Sequence, residues 1–257
     1  MTAETLLRLA LVPAAVWLAS LAARRWGHTV SGYLGGLPLI GGPITLFLAI
    51  DHGAPFAARS AVVTLAAIVG QAAHLVVFSR AARRVRWPAA LVSAWASFTA
   101  AALAVALLPL APLVALALAG FSLGAAFLLI PRPRADASLP RIPPIELRLR
   151  LLAALVLAAV ILWSAREFGP VVSGVMLSVP VTGSIMPPFT LALYGPDAVA
   201  RLARGFVVGL SGFSAFFFVV ASAVVSLGIT IAFIAALAAA LATVFAVTRI
   251  LQMAQRT

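Results

Sequence analysis

Two glycine- and proline-rich motifs contain the residues of this chain that are best suited to bind a solute. They run from Gly27 to Pro43 and from Gly169 to Ile185, and they align without a gap when Gly27 is matched to Gly169. We name this shift in residue number the repeat offset. Proline removes a backbone amide and glycine favours non-helical backbone, so each motif is expected to break a helix. The candidate solute-binding residues in the motifs are Ser31, Gly35, Gly36, Pro38, Gly41, Gly42, Ser173, Ser178, Pro180, Thr182, Gly183 and Ser184.

A broken helix presents two kinds of binding group at its break. The half-helix that begins there offers free amides and positive potential, and the half-helix that ends there offers free carbonyls. Inside a membrane these groups must meet protein, water or a ligand. The motifs therefore predict a binding site, or alternatively two kinks that only let helices cross closely. Gly-x-x-x-Gly motifs that begin at Gly32, Gly120 and Gly205 also favour close crossing.

A further set of candidates lies in the segments that follow the two motifs. Thr64, Gln71 and His74 have a spacing that places them on one face of a helix. We name these three residues the polar stripe. The segment after the second motif repeats this spacing at Arg204, Ser211 and Ser214. Polar groups within a membrane are costly and are therefore functional candidates, although His74 and Arg204 could instead extend to the membrane surface. The candidate binding residues in these segments are Gln71, His74, Arg204 and Ser211.

Other chemistries lack the residues that they require. The sequence contains no cysteine, no nucleotide-binding loop with a lysine and no His/Asp/Glu group at metal-ligand spacing. It has no evident Ser-His-Asp arrangement and no acidic residue in the middle of an apolar segment. We therefore predict no cofactor, no metal site and no catalytic residue, and the chain is not expected to be an enzyme. Asp51 beside His52 is interpreted as a solvated loop, with proton transfer at a membrane surface as the alternative.

The composition places the chain in a lipid bilayer. Hydrophobic residues make up 64% of the sequence, charged residues only 9%, and the mean hydropathy is +1.16. The net charge of +12 comes from arginines in short loops between apolar segments. This pattern predicts contact with anionic lipid headgroups and argues against a nucleic-acid partner.

Apolar segments of about 20 residues predict an all-α polytopic membrane protein with nine transmembrane helices. The motifs fall in the second and seventh of these helices, which we name the first broken span (29–50) and the second broken span (171–194). The nine predicted spans are 5–23, 29–50, 57–79, 87–107, 110–130, 148–165, 171–194, 200–222 and 228–248.

The arginines indicate how these spans are oriented. If both broken spans cross the membrane, every arginine except Arg8, Arg59 and Arg166 falls on one side, which the positive-inside rule assigns to the cytoplasm. The N-terminus is then outside, the C-terminus is cytoplasmic, and the second motif is inverted relative to the first. The sequence therefore predicts a first membrane repeat (1–107), a connector helix (108–130), a cytoplasmic linker (131–147) and a second, inverted repeat (148–257).

Inverted repeats with matched glycine and proline breaks are typical of secondary transporters. We expect such a transporter in the inner membrane of a bacterium, because every basic residue is arginine and alanine is abundant, as in GC-rich bacterial genomes. Free amides at the breaks, together with Arg204, favour a small anionic or carboxylate-bearing solute. Two alternatives stay open: a translocase for a lipid or lipid-linked intermediate, and an intramembrane enzyme or membrane assembly subunit.

Overall fold

The computed structural model describes residue 17 and residues 29–30, 32–106, 108–133 and 144–254. Within these residues the regular secondary structure is helical throughout. A short helical segment at 32–36 precedes the longer helices. These are α1 (Gly41–His52), α2 (Ala54–Ala66), α3 (Ile68–Ala81), α4 (Trp87–Ala106), α5 (Pro112–Leu129), α6 (Pro144–Leu177), α7 (Val181–Leu227) and α8 (Ile229–Ala254).

Six helical stretches in the described residues are long and apolar enough to cross a membrane, which confirms the prediction of a helical membrane protein. The longest stretch far exceeds one bilayer thickness and contains the predicted spans 171–194 and 200–222. The predicted span 5–23 lies outside the described residues apart from Trp17, so the count of nine spans stays a prediction. The six stretches are Gly32–His52, Ala54–Ala81, Trp87–Ala106, Pro112–Leu129, Glu167–Leu227 and Ile229–Met253.

Two glycines with positive φ angles end the broken spans. Gly53 (φ 88°) separates α1 from α2, and Gly195 (φ 78°) divides α7 into 181–194 and 196–227. Side chains disfavour this left-handed region, which explains glycine at both positions. A similar break at Gly169 divides α6 after residue 168, and another at Gly228 separates α7 from α8. Gly53 and Gly195 are separated by the repeat offset, and so are the starts of α4 and α8.

Each broken span continues in its original direction past its break. The first broken span packs along 196–227, and the second packs along α2 and α3, with residue numbers rising in the same direction in both members of each pair. Because neither segment turns back, neither is a re-entrant loop, and each runs parallel to its neighbour. The contacting pairs, in order, are Gly32 with Leu202, Gly36 with Leu210 and Gly41 with Phe217 for the first span, and Gly174 with Ser60, Ser178 with Gln71 and Gly183 with His74 for the second.

The segment 196–227 lies at the centre of the helix bundle. Leu202, Phe206, Leu210 and Phe217 along it are at most 3% exposed. Large apolar side chains such as Phe121 are exposed on the outer helices, as expected for surfaces that contact lipid. Where α4 packs on α3 and α8 packs on α7, small side chains allow close approach. The buried alanines of these two outer helices include Ala90, Ala94 and Ala102 of α4 and Ala232, Ala236 and Ala240 of α8.

Two of the three Gly-x-x-x-Gly motifs form a helix crossing. Gly32 and Gly36 of the first broken span face Gly205 and Gly209 of 196–227. A Cβ atom added to Gly209 would lie 2.8 Å from the Cα of Gly36, so the backbones pack without side chains between them. A Cβ atom on Gly120, in the third motif, would have no atom of the described residues within 4 Å.

One end of the bundle holds most of the described arginines, and we name it the arginine-rich end. Arg83, just after α3, forms a 3.1 Å ion pair with Asp197 at the start of 196–227. Arg80 donates a 3.0 Å hydrogen bond to the carbonyl of Leu129, which places the end of α5 at the same level. Arg59 lies near the opposite end, at the start of α2. The arginines near these contacts are Arg80, Arg83, Arg84, Arg86, Arg132, Arg201 and Arg204.

Candidate functional site

The two broken spans touch at their breaks. The Thr182 hydroxyl donates a 3.0 Å hydrogen bond to the carbonyl of Gly35. The Met186 sulfur also packs there, 3.1 Å from the position that a Cβ atom on Gly35 would occupy. Pro38 and Pro180, which interrupt the two helices, are both buried. The two motifs therefore meet inside the protein rather than in contact with lipid.

The polar stripe lies along the second broken span and binds its backbone. The Gln71 side-chain amide donates a 2.8 Å hydrogen bond to the carbonyl of Ser178, and Gln71 is 9% exposed. The break interrupts the regular helical ladder at this carbonyl, so the glutamine supplies the partner that membrane burial requires. Gly174 lies one turn before Ser178 in the second broken span, and its carbonyl is 3.0 Å from the Thr64 hydroxyl.

His74, the third residue of the polar stripe, reaches the start of the half-helix 181–194. Its Nε2 lies 3.3 Å from the carbonyl of Gly183, and since a carbonyl can only accept, this nitrogen is the donor. The ring is fully buried and makes an edge-on contact with Trp95 at 6.2 Å between centroids. His74 therefore faces the break and does not extend to the membrane surface.

The first broken span has an aromatic neighbour where the second has a polar one. The residues that the repeat offset matches to the polar stripe are Phe206, Phe213 and Phe216, which we name the phenylalanine stripe. Phe206 packs against Gly35 in the first broken span, and the other two rings pack beside Gly41 and Gly42 at its break. Spacing alone pairs the polar stripe with Arg204, Ser211 and Ser214 and does not identify the phenylalanines. Applying the repeat offset of the motifs would have found them.

Both half-helices that begin at the breaks start without a side-chain cap. Ile40 and Pro180, the N-cap residues of α1 and of 181–194, make no side-chain cap hydrogen bond to the amides of the first turn. Their first ladder bonds run back to the prolines: the Gly42 amide donates to Pro38 and the Ser184 amide to Pro180, each at 2.8 Å. The amides ahead of these bonds point towards the breaks, as at any helix start. Two helix N-termini therefore direct positive potential at the region where the spans meet.

Three predicted serines in the second broken span bond to their own helix. The Ser173 hydroxyl donates to the carbonyl of Gly169 at 3.0 Å, and the Ser178 hydroxyl donates to Val175 at 2.6 Å. The Ser184 hydroxyl donates to Pro180 at 2.7 Å. These local bonds satisfy each hydroxyl donor and leave its lone pairs to accept further bonds. Ser31, the corresponding candidate in the first broken span, lies outside the described residues.

Arg204 and Ser211 lie beside α5 rather than at the breaks. The Arg204 guanidinium donates to the carbonyls of Phe127 and Ile130 at 3.1 and 3.2 Å and stacks on the Phe127 ring at 3.9 Å. It thereby caps the carbonyl end of α5, a position where a cation is favourable. The Ser211 hydroxyl donates to Val208 in its own helix and borders an apolar groove between α5, α7 and α8.

Protein-family models, curated proteins and solved structures were compared with this chain, and none of them matches it. The candidate site is therefore defined by its own geometry. Two interrupted helices are in contact, the polar stripe packs against the second broken span, and the phenylalanine stripe packs against the first.

Proposed function

We propose that this chain is a secondary transporter that binds a small anionic or carboxylate-bearing solute between the first and second broken spans. The observation that carries the proposal is the contact of the two breaks, Thr182 to Gly35, inside the bundle. Transporters with inverted repeats place their solute where interrupted helices meet near the middle of the bilayer. The proposed units are the repeats 1–107 and 148–257, the connector helix 108–130 and the linker 131–147.

Reciprocal contacts, in which each half packs on the other at matching positions, support the repeat. Gly32 of the first half lies against the carbonyl of Leu202 in the second half. Its match under the repeat offset is Gly174 of the second half, which lies against the carbonyl of Ser60 in the first half. A Cβ atom added to Gly174 would be 2.6 Å from that oxygen. The first broken span therefore packs on α7 of the second half, and the second broken span packs on α2 of the first half, at equivalent positions.

The outer helices repeat the same equivalence. A Cβ atom added to Gly70 in α3 would lie 2.9 Å from the carbonyl oxygen of Phe98 in α4. One added to Gly212, the match of Gly70 under the repeat offset, would lie 2.9 Å from the carbonyl oxygen of Ala240 in α8. The agreement extends the proposed repeat from the broken spans to the ends of both halves.

The directions of the helices support an inverted arrangement. The ion pair between Arg83 and Asp197 joins the end of α3 to the start of 196–227, so these neighbouring helices run in opposite directions. The second broken span is parallel to α2 and α3, and the first is parallel to 196–227. The two broken spans are therefore antiparallel, whereas repeats with the same orientation would have parallel broken spans.

The electrostatics of the breaks favour an anionic group. The carbonyl ends have partners, since Gln71 binds Ser178 and Thr182 binds Gly35. The two amide ends, at the starts of α1 and 181–194, have no side-chain cap among the described residues. A carboxylate would accept hydrogen bonds from these amides. The preference for an anion comes from the helix starts, because Arg204 is already bound to the end of α5.

We assign the arginine-rich end to the cytoplasm of a bacterium, with the protein in its inner membrane. The N-terminus is then outside and the C-terminus cytoplasmic. A green fluorescent protein fused after Thr257 should fluoresce, and the same protein inserted within 51–56 should not, because it does not mature when it is exported unfolded. Alkaline phosphatase, which is active only outside, should give the reverse pattern. Fluorescence at both positions would contradict the proposed orientation.

Transport is tested with purified protein in proteoliposomes and a panel of radiolabelled mono- and dicarboxylates, under proton or sodium gradients. Wild-type protein should accumulate at least one of these solutes, and the double variant Gly41→Leu, Gly183→Leu should not, because leucine at either start blocks the approach to its amides. The double variant Gly120→Leu, Gly124→Leu is the matched control. Equal uptake by a folded Gly41→Leu, Gly183→Leu protein would contradict the proposed site.

A lipid translocase is the second candidate, and one observation favours it. A groove of about 570 Å³ between α5, α7 and α8 is lined almost entirely by apolar side chains, with Gly120 and Gly124 on its wall. An acyl chain fits such a groove. The groove lies away from the contact between Thr182 and Gly35, so it does not use the breaks, and the solute transporter is the better supported function.

An intramembrane enzyme has less support. A hydrolase or transferase needs acid, base or metal-binding groups that converge on one point. Among the described residues no group of three His, Asp or Glu side chains is placed to hold a metal ion. His74, the titratable residue at the breaks, bonds to the backbone of Gly183.

A further inference from the structure

The arginine-rich end contains a cleft of about 890 Å³ between α3, the turn into α4 and the end of α5. Its size lies within the ~300–1,000 Å³ that is usual for small-molecule sites. The cleft is lined by guanidinium groups and by apolar side chains. The arginines are Arg80, Arg83, Arg84 and Arg132, and the apolar residues include Val77 and Leu128.

The positive charge of this cleft exceeds the negative charge that the described residues place against it. Arg83 pairs with Asp197 at 3.1 Å, and this is the one ion pair that a cleft arginine makes within the described residues. Arg80, Arg84 and Arg132 add three further charges, and all of them are exposed. The carbonyl end of α5 offsets this charge only in part, since a helix terminus carries about half an elementary charge.

Backbone carbonyls hold two of the arginines in position. Arg80 donates from Nε to Leu129 at 3.0 Å, and Arg83 donates from one terminal nitrogen to the carbonyl of Arg132 at 3.0 Å. A guanidinium has five N–H donors, so both side chains keep donors for a ligand. The side chains of Arg84 and Arg132 take no part in these bonds. The cleft is therefore an organised cationic site with spare hydrogen-bond donors.

We infer that this cleft binds the phosphate headgroup of an anionic phospholipid, whose acyl chains pack along Val77 and Leu128. Arginine pairs with phosphate through two parallel hydrogen bonds, and basic pockets between transmembrane helices are known to bind anionic headgroups. A soluble phosphate would use the arginines but leave the apolar lining in water, whereas a lipid uses both. The inference does not depend on which solute is transported.

The test uses the full-length protein in a non-ionic detergent, with melting temperature followed during titration with phosphatidylglycerol or with phosphatidylcholine of the same acyl chains. Phosphatidylglycerol should raise the melting temperature of the wild type and phosphatidylcholine should not. The double variant Arg84→Gln, Arg132→Gln should bind phosphatidylglycerol at least about tenfold more weakly. Neither side chain hydrogen-bonds to another described residue, so the variant should melt like the wild type without lipid.

The matched control is Arg249→Gln in α8, whose guanidinium lies over the Phe245 ring at 5.1 Å and does not line the cleft. This variant should respond to phosphatidylglycerol as the wild type does. An unchanged response in the double variant would overturn the inference. So would an equal shift in the wild type produced by inorganic phosphate alone, because the ligand would then be the ion and not the lipid.

Discussion

Replacing Gly205 by leucine is expected to abolish the folded membrane core, whereas Gly124→Leu should leave the yield of folded protein close to that of the wild type. Both glycines belong to Gly-x-x-x-Gly motifs, but only Gly205 lies at a crossing. A Cβ atom there would collide with the carbonyl of Thr29 and lie 3.1 Å from the Cα of Gly32. A Cβ atom on Gly124 would meet no atom of the described residues within 4 Å.

Alanine variants give the magnitude of this effect. Alanine in place of a helical glycine stabilises a helix by about 1 kcal/mol, and this gain is common to both sites. At Gly205 the added methyl group forces two backbones apart, and overpacking of this kind costs about 1–3 kcal/mol or more. Gly205→Ala should therefore melt below the wild type and Gly124→Ala at or above it. Size-exclusion profiles and melting temperatures in detergent are the measurements, and equal melting temperatures would contradict the proposed crossing.

Gln71→Leu is expected to lower solute uptake about tenfold or more while the protein still folds. Leucine has a similar volume but cannot donate to Ser178, whose carbonyl would lose its 2.8 Å partner at the break. A buried acceptor left unpaired costs about 1–3 kcal/mol, enough to shift the conformation of the break. Thr182 and the start of 181–194 follow directly in the chain, so the proposed binding amides would move with it.

Uptake per folded protein in proteoliposomes and the melting temperature together measure this effect. Ser211→Ala is the matched control, because the Ser211 hydroxyl bonds to Val208 in its own helix and lies away from the breaks. It should transport like the wild type. His74→Phe should resemble Gln71→Leu, since it removes the bond to Gly183 and keeps a ring beside Trp95. If Gln71→Leu and Ser211→Ala transport equally well, the polar stripe has a structural role only.

Local chemistry was sufficient to predict most of the helices. The predicted spans 87–107 and 110–130 correspond to α4 (Trp87–Ala106) and α5 (Pro112–Leu129). Such agreement is expected for a membrane protein, because lipid offers the backbone no hydrogen-bond partner and every apolar stretch of sufficient length must be helical. The breaks at Pro38 and Pro180 were predictable for a related reason, since proline removes a helical amide wherever it occurs.

Partners across the fold could not be predicted in the same way. The polar stripe was recognisable as one face of a helix, but its spacing does not specify whether it faces a cavity, lipid or the carbonyls of another segment. The structure places Gln71 on Ser178 and His74 on Gly183, so these side chains complete a broken helix. The spacing that pointed to Arg204 did not indicate that this side chain caps α5.

Sequence patterns predicted the class of protein, the positions of most of the described helices and the places where two of them break. These properties depend on burial in lipid and on the covalent chemistry of glycine and proline, and both act within a few residues. Contacts between distant segments place Gly205, but not Gly124, in a crossing, and they place phenylalanine at one break and polar groups at the other. Residue spacing specifies which side chains share a helix face, but it does not specify which segment packs on that face, because this packing depends on the whole chain.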